Sequence, residues 1–261
     1  MPRVHIALRT VPVFRFEAFH EGFRRLGYDI APAVPNRIET DDVLVIWNRR
    51  ADQERMARAY EAAGARVVVA ENAYLQPGRD KHFALALGHH NGAGTWPYSV
   101  KGWPVLSRPE RWPELDIRAE PWRETGDFIV VLPQRGIGER GVAMPHTWLA
   151  ETLTWLRAAT RRPVRVRRHP GNGGADPSPD FRDAWAAVTW GSGAAIKAVV
   201  AGVPVFHGLR SWIGAPAAHR IGHDLERPYL GYRIPMLERL AWAQWSVAEV
   251  ESGEAFRWLL K

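Results

Sequence analysis

The sequence predicts a doubly wound α/β fold in two halves, and three observations carry that expectation. Short apolar runs alternate with amphipathic stretches, the pattern of parallel strands covered by helices. The alternation breaks between Glu71 and about Arg118 and restarts at Phe128. Gly27, Gly64 and Gly202 each stand just past a helical stretch, where a residue in the left-handed region ends a helix. Two such halves joined by a Pro- and Trp-rich connector imply two domains with a cleft between them.

In the first half, Val4–Leu8 reads as a buried strand. Phe14–Leu26 is helical, with Phe16, Phe19, Phe23 and Leu26 on one face. Tyr28–Ile30 suits a short second strand, Val43–Trp47 a buried one, Gln53–Ala63 a helix, and Arg66–Ala70 another strand. Phe83–Leu87 is strand-like and runs into His89-His90-Asn91-Gly92. Polar loops beyond strand carboxyl ends are where open α/β sheets bind ligands. Residues 103–122 form the connector. In the second half Phe128–Leu132 and Pro163–Arg168 read as strands, with the helix Trp148–Leu156 between them. Leu237–Trp245 and Val247–Leu260 read as closing helices. The domains expected are therefore 1–120, 121–245 and a C-terminal helix, 246–261, that crosses back to the first.

The 261 residues carry a net charge of +7, with most of the excess in the second half and nearly all of it arginine. Arginine suits bidentate phosphate recognition, and a basic chain suits an anionic partner, DNA or an acidic substrate. With no cysteine, disulfides, thiolate metal sites and thiol nucleophiles are excluded. No apolar run is long enough to span a membrane, and Met1–Arg9 lacks the form of a signal peptide, so a cytoplasmic, monomeric protein is expected.

The most informative stretch is Thr189–Gly208. It reads as strand end, Gly191-Ser192-Gly193 turn, short helix, glycine stop and buried strand. Ser192 is a good N-cap, and a helix N-terminus after a Gly/Ser turn suits a phosphate. Gln134-Arg135-Gly136 and Arg168-His169-Pro170 end neighbouring strands and are expected to face it. Gly136, Gly138 and Gly141 have the spacing of a dinucleotide fingerprint, but Met144-Pro145 follows where a helix should begin. A loop closing over a diphosphate, with Arg135 as its charge partner, is the better expectation.

A His-Pro at a strand end, then a Ser/Gly turn, a helix and Gly202-Val203-Pro204-Val205, resembles the donor domain of GT-B glycosyltransferases. Several capsule-type and sialyl-type transferases carry a similar pair. The compact size, the charge and the Ala86–Gly94 stretch also resemble small phage glycosyltransferases that decorate hydroxymethylpyrimidines in DNA. The resemblance implies two Rossmann-like domains, an acceptor-binding domain over 1–120 and a donor-binding one over 121–245. It implies a nucleotide-sugar donor, UDP-linked, no permanently bound cofactor and no obligatory metal. Donor contacts are then expected from Gln134, Arg135, Gly136, Arg168, His169, Gly191, Ser192, Gly193 and Lys197. The motifs cover about residues 128–208. The family's Glu-rich sugar-recognition segment after the Ser helix is replaced by Gly214–Asp224, which leaves the sugar open.

An inverting transferase also needs a base for the acceptor hydroxyl. Glu71, Asp80, His89 and His90 are the candidates. His89 and His90, as neighbours on an extended segment, point to opposite faces and do not share a metal. The acceptor expected is 5-hydroxymethylpyrimidine in double-stranded DNA. A surface polysaccharide is the alternative, as is a non-catalytic nucleic-acid-binding protein. Arg157, Arg161, Arg162, Arg165, Arg167 and Arg168 form a basic run that suits a phosphate backbone, or equally a solvated helix end followed by an alternating strand.

Overall fold

A computed structural model describes residues 1–75, 81–89, 93–96, 111–169 and 176–261. The chain divides into two compact units. The first comprises Met1–Glu110, Gly138–Arg140 and Ala241–Lys261; the second comprises Arg111–Ile137 and Gly141–Leu240.

In the first unit, strands β1 (Arg3–Ile6), β2 (Asp29–Ile30), β3 (Val43–Trp47), β4 (Arg66–Asn72) and β5 (His82–Leu87) are joined by a strand from the C-terminal segment, Gln244–Ser246. The order across the sheet is that last strand, β5, β4, β3, β1, β2. β1 to β4 are mutually parallel. β3 and β4 are continuous apolar runs because a parallel sheet buries both faces. Helix α1 (Phe16–Arg25) connects β1 to β2, and α2 (Ala51–Ala62) connects β3 to β4.

Two expectations need correction here. Leu237–Trp245 is not one helix. A helix ends at Ala241 and Gln244–Ser246 becomes a strand antiparallel to β5, with Trp245 opposite Phe83. Pairing covers the exposed edge of β5 and buries Gln244 and Trp245 fully. The Gln244 side-chain carbonyl accepts a hydrogen bond from the Leu75 amide at 2.7 Å. Val247–Leu260 is likewise two short helices, Val247–Glu251 and Glu254–Leu259, separated at Gly253, whose φ is +81°. Ser246 and Glu249 form a capping box at the start of the first.

Those two helices pack on α1. Phe256 stacks on Phe23 at a centroid distance of 4.0 Å. A Cβ at Gly22 would lie 2.0 Å from the Val250 carbonyl oxygen and 2.8 Å from the Phe256 ring. Gly22→Ala should therefore cost about 2 kcal/mol of stability through overpacking, although alanine is the better helix former. Urea denaturation checks this; a Gly22→Ala protein as stable as the parent would refute the close approach.

The second unit holds β6 (Phe128–Leu132), β7 (Val164–Val166), β8 (Ala184–Thr189), β9 (Val205–His207) and β10 (His219–Arg220). All are parallel, in the order β10, β9, β8, β6, β7. Helix α3 (Arg111–Glu114) opens the unit, α4 (Trp148–Ala159) joins β6 to β7, and α5 (Gly193–Val200) joins β8 to β9. Helix α6 (Ile234–Ala241) closes it, and the C-terminal elements of the first unit follow as strand β11 (Gln244–Ser246) and helices α7 (Val247–Glu251) and α8 (Glu254–Leu259). The core is built from Ile129, Val131, Trp148, Leu156, Trp185, Val188 and Phe206.

Candidate functional site

After β6 the chain passes to β7 on one side and then returns to β8 on the other. That reversal makes the carboxyl ends of β6 and β8 the switch point of the sheet, where open α/β folds leave a crevice for ligands. Gln134, Arg135 and Gly136 follow β6, Gly191, Ser192 and Gly193 follow β8, and Arg168 and His169 follow β7. His169 and the Gly/Ser turn do not end adjacent strands, as the sequence suggested. β6 lies between theirs, so the Gln134–Gly136 loop stands in the middle of the three.

The turn after β8 is held by a residue the sequence reading passed over. Thr189 is fully buried. Its hydroxyl donates to the Leu132 carbonyl at 3.2 Å and accepts from the Ser192 amide at 3.0 Å. One side chain thereby fixes the end of β6 to the start of the turn. A Thr three residues before a helix cap was the signal that could have found it. Ser192 is the N-cap of α5, its Oγ accepting from the Ala194 amide at 3.2 Å. The loop after β6 is tied in turn, since the Trp190 indole donates to the Val142 carbonyl at 2.8 Å. At the far end of α5, Gly202 takes φ +74°, as its position past the helix predicts.

Charge at this edge is positive and partly committed. Partial desolvation, and after it the Arg135 and Arg167 guanidiniums, hold the His169 imidazole below its ordinary value. That environment favours the neutral form of His169. Arg167 itself pairs with Asp180 at 2.5 Å. Lys197, one turn into α5, pairs with Asp176 at 3.2 Å. Of the wider basic run, Arg162 donates to Glu226 and stacks over Trp185 at 4.3 Å, and Arg165 lies 3.6 Å over the Phe128 ring. Those arginines are engaged with the unit that carries them, which fits a structural role for much of the run.

Of the four base candidates, the two within the described residues, Glu71 and His89, are not brought together. Glu71 lies at the carboxyl end of β4, opposite Ala84. β5 runs antiparallel to β4, with Leu87 opposite Val68. His89, two residues past β5, is therefore at the end of the sheet where the parallel strands begin, away from Glu71. The expectation that its loop joins a carboxyl-edge crevice fails because that rule applies to the parallel strands. Asp80 and His90 lie outside the described residues, as does the 170–175 part of the His-Pro loop.

His89 belongs instead to an ionic cluster built on the buried Arg49 and Glu139. Its Nδ1 is 2.6 Å from Oε1 of Glu139, a residue that groups with the first unit. Arg49 is only 3% exposed. It contacts Glu54 at 2.8 Å and Glu61 at 2.6 Å, lies 3.9 Å from Glu139 and donates to the Gly88 carbonyl. The hydrogen bond to Glu139 raises the His89 pKa, against burial and the Arg49 charge, which lower it. Neither Arg49 nor Glu139 was foreseen. Glu139 is fifty positions from its partner, and no local spacing signals such a pair.

Among the described residues no helix is long and apolar enough to cross a membrane. No family model matches the chain, and no curated protein matches it. Solved structures do. The α/β fold of this chain is similar to that of GT-B-like glycosyltransferase structures. The Thermosulfurimonas dismutans KpsC β-Kdo 2,7 transferase superposes with a TM-score of 0.56 over 98% of this chain and 99% of its own, at 12% identity. The β-Kdo 2,4 transferase of the same KpsC gives 0.60 over 92% and 89%, also at 12% identity.

Proposed function

We propose that this protein is a glycosyltransferase that binds a nucleotide-activated sugar at the carboxyl edge of its second sheet and transfers the sugar to a hydroxyl of a surface polysaccharide. The observation that carries the reading is the switch point itself. Ser192-capped α5, the Gln134–Gly136 loop and His169 end three consecutive parallel strands there. The donor phosphate would meet the positive end of α5, with Arg135 and His169 supplying charge-assisted hydrogen bonds. Preorganised donors of this kind stabilise the charge that develops on the leaving phosphate. The acceptor assignment is supported by the solved structures of similar fold, both Kdo transferases, and by the +7 charge, which suits an anionic glycan.

The same charge favours a second reading in which the acceptor is hydroxymethylpyrimidine DNA. The engagement of Arg162, Arg165 and Arg167 within their own unit counts against a continuous phosphate track. A UDP-sugar is the first donor to try, within a panel of nucleotide sugars.

A thermal-shift series with UDP, UMP, CDP and CMP tests the donor site. At a ligand concentration a hundred times Kd, binding stabilises by about 2.7 kcal/mol, a rise of several degrees. Ser192→Ala and Arg135→Ala should weaken that binding about tenfold or more, in line with loss of a charged or capping contact. The affinity should also rise as pH falls from 8 to 6. A bound phosphate favours the charged form of His169, whose pKa is depressed in the empty site, so binding takes up a proton. His169→Gln should flatten that dependence. No stabilisation by any of these nucleotides would sink the glycosyltransferase reading. Mass analysis of reactions with a polysaccharide and with hydroxymethylated DNA then separates the two acceptors, and salt-sensitive DNA affinity without nucleotide binding would mark a non-catalytic DNA-binding protein.

A further inference from the structure

We propose that the turn after β1 carries an anion site, in which Arg15 and Lys81 bind the carboxylate of an acidic saccharide. All of its residues belong to the first unit. The ligand class rests on the glycosyltransferase reading above; the juxtaposition of the two cations does not.

The place is one where a ligand is expected. After β1 the chain passes to β2 on one side and then returns to β3 on the other. The carboxyl ends of β1 and β3 are therefore the switch point of the first sheet, where open α/β sheets leave room for a ligand. The segment after β1 turns through Pro12–Phe14 and packs at that edge. The Phe14 ring meets Trp47, the last residue of β3, edge-on at 4.7 Å. Arg15 ends the turn at φ +49°, its amide donating to the Pro12 carbonyl. The Lys81 ammonium donates to the Val13 carbonyl at 2.5 Å and lies 5.0 Å from the centre of the Phe83 ring. These contacts hold the ammonium against the turn that carries the guanidinium.

The two charges lack a counterion. Lys81 is half-buried. Burial, and after it the Arg15 charge, hold its ammonium below the ordinary value. Two neighbouring cations, one of them partly removed from water, are an unfavourable arrangement until an anion joins them. Among the described residues neither has a carboxylate partner. The Lys81 hydrogen bond goes to a backbone carbonyl, and Glu17, exposed in the first turn of α1, pairs with neither cation. By contrast Arg3, Arg24, Arg49 and Arg58 each pair with a carboxylate of the same unit.

An acidic sugar fits what remains. The ammonium has two further protons to donate, and the guanidinium offers its planar fork, which matches a carboxylate. Beside them Val11 and Val13 are 48% and 58% exposed. A small hydrated ion gains nothing from that apolar surface, whereas the C–H face of a sugar ring covers it.

Calorimetric titration of the full chain with trigalacturonate, its methyl ester and inorganic phosphate tests the site. Trigalacturonate should bind, more weakly as salt is raised, and phosphate and the ester should bind less tightly. Lys81→Met and Arg15→Gln should each weaken trigalacturonate binding about tenfold or more, the loss of a hydrogen bond to a charged group. Lys81→Arg should keep most of the affinity. Arg182→Gln, which removes one exposed charge from the second unit, should match the wild type. No binding of trigalacturonate overturns the proposal. An ester that binds as tightly as the acid overturns the role of the carboxylate, and phosphate that binds as tightly overturns the saccharide class. Equal losses in Arg182→Gln would show a response to net charge and overturn the site. Thermal shifts with the nucleotide panel keep this result apart from the donor site. Lys81→Met and Arg15→Gln should retain the wild-type nucleotide stabilisation, and its loss would assign the two cations to the nucleotide instead. If the wild-type protein binds no nucleotide while trigalacturonate titrates as described, the glycosyltransferase reading fails and the anion site stands.

Discussion

Gly202→Ala should lose about 2–5 kcal/mol of stability, measured as a fall in the urea midpoint, and is expected to be the most damaging single methyl addition in the second unit. Two costs combine. The residue sits at φ +74°, where a side chain costs about 1–2 kcal/mol. Its new Cβ would also lie 1.9 Å from the Pro121 carbonyl oxygen and 3.0 Å from the Pro121 carbonyl carbon, a backbone overlap that adds about 1–3 kcal/mol. The neighbouring backbone cannot move cheaply. The Glu120 amide donates to Val200 at 2.8 Å and the Arg123 amide to Gly202 at 2.7 Å. The segment 120–123 is thereby laced to the end of α5, the helix that Ser192 caps at its other end. A loss below about 1 kcal/mol would show that the segment gives way, and would contradict the tight approach.

Arg49→Met should be the second large effect, about 2–4 kcal/mol at neutral pH, the cost of leaving buried carboxylates without their cation. Glu61 is more than a third exposed, so water replaces much of what it loses. Glu139 and Glu54 are the more buried partners, although Glu54 keeps Arg58 at 2.7 Å. The deficit should depend on pH with a definite sign. Burial raises the Glu54 pKa, but the bonds from Arg49 and Arg58 outweigh it and leave the group below the ordinary carboxylate range. A depressed carboxylate contributes stability above its unfolded pKa and loses it as pH falls through the folded value. The gap between wild type and Arg49→Met should therefore narrow in acid. A gap that stays constant from pH 7 to pH 3 would mean that Arg49 acts through packing of its stem. Because Arg49 has φ +40°, Arg49→Gly should be less damaging than Arg49→Ala by about 1 kcal/mol.

Much of the architecture is legible in the chain because burial on both faces leaves a plain mark. Val43–Trp47, Arg66–Ala70 and Phe128–Leu132 are apolar runs of strand length, and each is a central or near-central parallel strand. The Ser192 cap and the Gly202 stop are legible for a local reason. Each satisfies or ends its own helix with chemistry available only to a few residue types. Gln244–Ser246 is harder. Residues 237–245 are apolar at helical spacing, and only the open edge of β5 turns the last of them into a strand.

By itself, then, the sequence determined the α/β class, the strand–turn–helix that presents Gly191-Ser192-Gly193, and the loop chemistry at Gln134–Gly136 and His169. These depend on contacts within a few residues or on burial pattern alone. The tertiary structure decided the order of strands, which puts β6 between β7 and β8, and the direction of β5, which sends His89 to the opposite end of the sheet from Glu71. It also decided the Arg49–Glu139–His89 cluster, whose members are separated by as many as ninety positions. An apolar strand packs equally well in either direction, and a buried charge records nothing in its own neighbourhood about a partner so distant. Both are fixed only when the sheet is assembled and each buried polar group has to find its counterpart.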